Sequence, residues 1–237
     1  MESSQWLKET EKSWDSFSDV WSSGAQNMWE AGSRKNIIPF IKDYLPQGGR
    51  ICDLGCGEGY GTWKLSQEGF TAVGVDISKE MIQKAQKREE GSGTLKFIQA
   101  DISSLPFEDH QFDGVMAINS FEWTSRPLDA LNEARRILKP GGYAAAGILG
   151  PTAGPRKTHS FKRFYGEKVI MNDMLPWEFE RLALENGWSL AASMGVSKKE
   201  ADLEKLSYPS ELKQALSFMW VFILKNEEQY ENKEESS

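Results

Sequence analysis

The chain is 237 residues long, 39% hydrophobic and 27% charged, with a formal net charge of -7 and an isoelectric point near 5.1. That much apolar material excludes a chain disordered throughout and fits one α/β domain, or two at most. The acidic balance speaks against a nucleic-acid or anionic-membrane binder, which needs a basic face for phosphates, so neither partner is expected.

Residues 1–33 carry Trp6, Trp14, Phe17, Trp21 and Trp29. Trp14, Phe17 and Trp21 follow helical spacing, so this segment reads as an aromatic-rich helical cap, either packed across the core or roofing a pocket. The opening MESSQWLKETEK is charged, without the apolar centre of a signal peptide. The most apolar stretch, 215–224, falls well short of the ~18 residues of a membrane span, and a cytoplasmic protein is expected.

From residue 34 onward, short apolar runs alternate with amphipathic ones. The runs at 50–54, 70–76, 95–100, 112–119 and 143–149 read as buried strands, bounded by Gly, Pro or Asp. Between them lie helical patterns. Ile37, Ile38, Ile41 and Leu45 share one face; Ser78 caps a helix through Met81, Ile82 and Ala85; Pro127 opens a helix that Pro140-Gly141-Gly142 stops. Pro176 opens another, ended by Gly187. Runs at 188–196 and 215–225 complete a set of seven, with the last two read as an antiparallel edge. The pattern predicts a mostly parallel seven-stranded sheet with helices on both faces.

Residues 150–175 interrupt the alternation with Pro151, Gly154, Pro155 and the basic Arg156, Lys157, Lys162, Arg163 and Lys168. This is an insertion or lid, and its charges either receive an anionic substrate or form a solvated face. The tail, 226–237, is mostly acidic and expected to be disordered. Cys52 and Cys56 are the only cysteines, and His110 and His159 the only histidines, too few for a disulfide framework or a zinc site; no metal is expected.

The sharpest signal is the run Ile51-Cys52-Asp53-Leu54-Gly55-Cys56-Gly57-Glu58-Gly59-Tyr60-Gly61. A strand ends at Asp53, a glycine turn follows, and a helix begins near Tyr60, at a position where open parallel sheets bind ligands. The dinucleotide fingerprint fails, because its third glycine is Tyr60 or Thr62 depending on where it starts. Glu58 inside the loop and Asp53 at its root oppose a pyrophosphate and suit a ligand carrying positive charge.

This loop resembles motif I of the class I S-adenosylmethionine-dependent methyltransferases, of the small-molecule, type 11-like kind. Further segments follow in that family's order: Val73-Gly74-Val75-Asp76-Ile77-Ser78, Phe97-Ile98-Gln99-Ala100-Asp101-Ile102 with Leu105-Pro106-Phe107, Phe112-Asp113-Gly114-Val115, and Leu138-Lys139-Pro140-Gly141-Gly142. The likeness covers about 34–150 and more weakly 175–225. It implies a Rossmann-like domain over 34–225 and S-adenosylmethionine as cofactor, with S-adenosylhomocysteine as product. It also implies that Asp53, Gly55, Gly57 and Gly59 line the methionine and ribose. Asp76 takes the ribose hydroxyls and Ile77 packs on adenine. Asp101 accepts the adenine amino group beside Ile102, and Asn119 lies near the sulfonium.

Methyl transfer from a sulfonium is an in-line displacement that needs alignment more than acid or base. His110 reads as a solvated turn residue. The catalytic candidates are weak: Glu122, which could orient a nucleophile or cap a helix, and His159 in the insertion. Many members of the family have His after the position matching Glu122, where this chain has Trp123. Many have Tyr in the N-terminal helix, where Trp21 stands here and could meet the sulfonium by a cation–π contact. The expected activity is methyl transfer to a small-molecule acceptor. A nicotinamide oxidoreductase and a noncatalytic binding protein on the same fold are the competing readings.

Overall fold

The computed structural model describes residues 3–197 and 205–227. A single helix, α1 (Ser3–Glu30), is followed by α2 (Ile37–Ile41), which tightens into a 3-10 turn at Lys42–Tyr44. Strands β1 (Arg50–Leu54), β2 (Thr71–Asp76) and β3 (Leu95–Gln99) are separated by α3 (Tyr60–Gln67) and α4 (Lys79–Gln86). Then come β4 (Phe112–Ile118), α5 (Pro127–Ile137), β5 (Leu138–Leu149), α6 (Gly154–Thr158), α7 (Pro176–Leu184), β6 (Trp188–Val196), α8 (Ser210–Leu216) and β7 (Met219–Asn226).

The strands form one seven-stranded sheet in the order β3-β2-β1-β4-β5-β7-β6. All neighbours from β3 to β5 pair in parallel, while β7 is antiparallel to both β5 and β6. The expected antiparallel edge is thus realised with β7 inserted and β6 outermost, so β7 alone is reversed. The chain reverses its direction of winding between β1 and β4, which opens a crevice at their C-terminal ends.

Local signals account for these boundaries. Ser78 Oγ accepts from Met81 N–H at 3.1 Å and starts α4. Pro127 and Pro176 occupy the first turns of α5 and α7, where the missing N–H costs nothing. Gly187, at φ 82°, lets the chain turn from α7 into β6. The last apolar run divides: Ala215 and Leu216 end α8, and the strand starts only at Met219. Pro140-Gly141-Gly142 bulges within β5, between the pairs Phe112↔Leu138 and Gly114↔Tyr143.

One face of the sheet is covered by α5 and α7 through Leu131, Ala134, Ile137, Phe179 and Ala183. The other meets α2, α3 and α4 through Ile37, Ile41, Leu65, Ile82 and Ala85. Helix α1 buries only Thr10, Ser18, Ala25 and Trp29 along one stripe. Polar ties hold it along residues 6–19. Trp6 Nε1 donates to Trp123 O at 2.7 Å, Ser78 Oγ bonds Asp15 at 2.6 Å, and Lys84 pairs with Asp19 at 2.6 Å. Among the described residues no helix is long and apolar enough to cross a membrane. The acidic tail lies outside the described residues beyond Glu227.

Candidate active site

A cavity of about 410 Å³ opens at the C-terminal ends of β1 to β4. Its floor is made by Gly55, Cys56 and Gly57 after β1, Asp76 and Ile77 after β2, Asp101 and Ile102 after β3, and Asn119 to Ser120 after β4. Trp14, Phe17 and Trp21 of α1 line its roof, and Pro155, Thr158 and His159 of the 150–175 segment line its side.

Asp76 is 8% exposed, and both of its oxygens are fixed by backbone amides. Oδ2 accepts from Gly57 N–H at 2.8 Å and Oδ1 from Ser78 N–H at 2.9 Å. Burial raises its pKa to about 6, against the lowering effect of those amides. A carboxylate has acceptor capacity for more than two donors, so Asp76 can take hydroxyl donors from the cavity it lines. Asp101 Oδ1 holds Ser103 N–H at 2.9 Å and so fixes the loop after β3. Gly55 and Gly57 sit at φ 73° and 58°. A Cβ on Gly57 would stand 3.3 Å from Trp21 Nε1, filling the gap between loop and roof. Asn119 sits at φ 58°, and its Oδ1 is buried without a hydrogen-bond partner among the described residues. These features fit a nucleoside with a short polar tail: acceptors beside the floor, glycine backbone at close range, and an orphaned amide oxygen.

Several expected site residues stand elsewhere. Asp53 is not on the cavity wall. Residues 51 and 53 share the α3 face of β1, and Asp53 Oδ2 accepts from Thr62 Oγ1 at 2.6 Å. Its burial raises its pKa to about 7. Gly59 is also behind the wall, where a Cβ would come within 2.5 Å of the Phe97 ring; this glycine serves packing. Glu58 does not charge the loop interior. It is buried, paired with Arg88, and accepts from Tyr60 N–H at 3.1 Å at the start of α3. Glu122 is fully buried beside the cavity rather than in it; Oε1 accepts from Leu149 N–H, and burial raises its pKa to about 7.

His159 does reach the cavity. Its ring meets Trp123 edge-on at 5.6 Å, its Nε2 is buried without a partner among the described residues, and burial, then Lys162, lowers its pKa. The basic residues around it are mostly spent on the protein. Arg156 donates to Leu149 O at 2.9 Å and to Met174 O, Arg163 pairs with Asp173 at 2.6 Å, and Lys168 pairs with Glu9. The Trp21 ring carries the Arg34 guanidinium at 5.0 Å from its centre. Arg34 itself escaped the sequence reading, because Ser33-Arg34-Lys35 resembles an ordinary charged linker.

Residues 52–146 match the family model described as "Methyltransferase domain". The chain is 30% identical over 134 residues to a demethylmenaquinone methyltransferase of Clavibacter sepedonicus, covering 56% of this chain and 52% of that protein. Its fold superposes with a TM-score of 0.71 on the methyltransferase solved with the Haloferax volcanii Trm112 methyltransferase activator, at 20% identity, covering 93% of this chain and 99% of that one. A SAM-dependent methyltransferase of Methanosarcina mazei gives 0.62, at 20% identity over 80% of this chain and 97% of that one. The chain spans about half, or less, of the length of the first curated relatives it matches. Over residues 52–146 the chain is therefore similar to methyltransferase domains, and its fold is Rossmann-like.

Proposed function

We propose that this chain transfers a methyl group from S-adenosylmethionine to a small-molecule acceptor. The observation that carries the reading is the convergence of Gly55, Gly57, Asp76, Asp101 and Asn119, from four adjacent strand ends, on one cavity roofed by aromatic rings. When bound, the cofactor supplies a methyl group on a sulfonium, so the leaving group needs no further activation. Asp76 orients the ribose hydroxyls, Ile77 and Ile102 flank the adenine, and Asp101 accepts its amino group. Gly55 and Gly57 admit the tail, and the Asn119 amide oxygen faces the sulfonium end. Trp14, Phe17 and Trp123 exclude water and align the acceptor, which is where such a transfer gains most of its rate.

The neutral His159 imidazole is the group in this cavity suited to take a proton from an acceptor hydroxyl or amine. Glu122 acts as a positioning residue, holding Leu149 at the wall. The rings favour an apolar, uncharged acceptor over an anionic one. The Clavibacter relative is named for demethylmenaquinone, and a relative from Mycolicibacterium smegmatis is a fatty-acid O-methyltransferase, so names within the family do not choose the acceptor. We further propose a cytoplasmic location.

Calorimetric titration with S-adenosylhomocysteine, with NADH as control, tests the reading. Micromolar binding of the first alone is expected. Binding of NADH alone, or of neither, would overturn it.

A further inference from the structure

The segment that brings His159 to the cavity continues into a 3-10 turn, Ser160–Tyr165. Ser160 is buried, and residues 161–168, Phe-Lys-Arg-Phe-Tyr-Gly-Glu-Lys, are then exposed without interruption. Three rings stand out of the surface there: Phe161 is 50% exposed, Phe164 70% and Tyr165 75%. Phe161 packs against both of the others, at 5.5 Å and 5.9 Å between ring centres, so the three form one cluster. Single apolar residues scattered over a surface need no explanation, but a contiguous exposed cluster marks a contact.

The charge around these rings runs against that of the chain. Residues 157–168 hold four basic residues, Lys157, Lys162, Arg163 and Lys168, against the one acidic residue Glu167, a formal +3, while the whole chain carries -7. The Arg163 guanidinium lies over the Phe164 ring, 4.8 Å from its centre, so apolar and cationic surface coincide. The ion pairs Lys162–Glu167, Arg163–Asp173 and Lys168–Glu9 are all partly open to water. Such pairs contribute little and yield to a stronger anionic field.

Protein interfaces are enriched in aromatic rings but depleted of lysine. A lipid surface takes both, because rings settle at the headgroup boundary while ammonium groups reach the phosphates. We propose that residues 157–168 dock the protein on an anionic lipid surface, with Phe161, Phe164 and Tyr165 entering the headgroup boundary. The acidic balance that speaks against a membrane partner is an average over the chain, and this patch departs from it. Because the rest of the chain is repelled by the same surface, the contact is reversible and sensitive to salt. The inference does not depend on the reaction proposed above. It does join that site, since Pro155, Thr158 and His159 of the same segment line the cavity.

The test mixes the full chain with sedimentable vesicles of phosphatidylcholine alone, or of phosphatidylcholine with phosphatidylserine, and reads the bound fraction after centrifugation. Partitioning onto the phosphatidylserine vesicles is expected to be at least about tenfold stronger and to weaken as salt is added. The double variant Phe164→Ser with Tyr165→Ser, and separately Lys157→Glu with Lys162→Glu, should each lower it at least about tenfold. All four side chains are exposed, so the melting temperature should stay at its wild-type value, which separates lost docking from lost folding. A wild-type chain that leaves phosphatidylserine vesicles bare, or variants that bind them as well as wild type, would overturn the proposal. A dimer in sedimentation velocity that the ring variant abolishes, without vesicle binding, would assign the rings to a second copy of the chain instead.

Discussion

Glu122 and Arg156 grip Leu149 from two sides: Glu122 Oε1 accepts from the Leu149 N–H, and Arg156 donates to the Leu149 carbonyl at 2.9 Å. Leu149 ends β5 and lines the cavity, so these two side chains fix the wall where the strand gives way to the 150–175 segment. Arg156 also donates to Met174 O, which ties the far end of that segment to its beginning.

Buried carboxyls make the ligand-free protein sensitive to alkali. Burial raises Asp53 and Glu122 to about 7 and Asp76 to about 6. Each holds its proton more tightly when folded than when unfolded. The stability this confers is complete below the unfolded carboxyl pKa of about 4 and is lost as pH rises through those folded values. His159, with a lowered pKa, works in the opposite direction, but it is one group against three. The melting temperature should fall by about 3–10 °C between about pH 5 and pH 8. Glu122→Gln, which keeps an acceptor for Leu149 N–H, should flatten that slope. A melting temperature that climbs over this interval would refute the assignment.

Asp76 has two tasks that one substitution can separate. Asp76→Asn retains an amide oxygen for one of the two backbone N–H groups and removes the charge. S-adenosylhomocysteine affinity should drop by about 1.5–3 kcal/mol, with about 1 kcal/mol lost from folding stability. Titration and thermal melting measure the two losses. Undiminished affinity would remove Asp76 from the ribose contact.

The loop glycines should fail in different ways. Gly59 sits at φ 82° with the Phe97 ring 2.5 Å from its absent Cβ, so Gly59→Ala should cost about 2–4 kcal/mol of stability. Gly57 has more room, 3.3 Å to Trp21 Nε1, but that room belongs to the cavity. Gly57→Ala should cost about 1–2 kcal/mol of stability and weaken S-adenosylhomocysteine by at least about tenfold. Chemical denaturation and titration of both variants would show the contrast, and identical profiles would count against it.

Much of this was legible in the sequence because it rests on backbone signals. The strands, the Ser78 cap, the proline starts and the glycine turn depend on residue type and spacing alone. Side-chain direction was harder. Asp53 looked like a ligand contact, yet Cys52 and Leu54 face the α5 side of the sheet, so alternation sends Asp53 with Ile51 to the α3 side. Glu58 and the basic residues of the insertion were read as free charges, because their partners are remote in sequence: Arg88 for the former, Asp173 and Glu9 among those of the latter. Arg34 was invisible for the same reason, since only the fold brings Trp21 and Trp29 around it.

Helix α1 and the 150–175 segment both lie outside residues 52–146, yet they supply Trp14, Phe17, Trp21, Arg34's indole clamp and His159. Under the proposed function, the stretch that makes this chain recognisable is not the stretch that encloses the acceptor. Two proteins could share the nucleoside floor almost residue for residue and still present different chambers to a substrate. Exchanging the first 33 residues between relatives would be a more direct way to move acceptor preference than any change within the glycine loop.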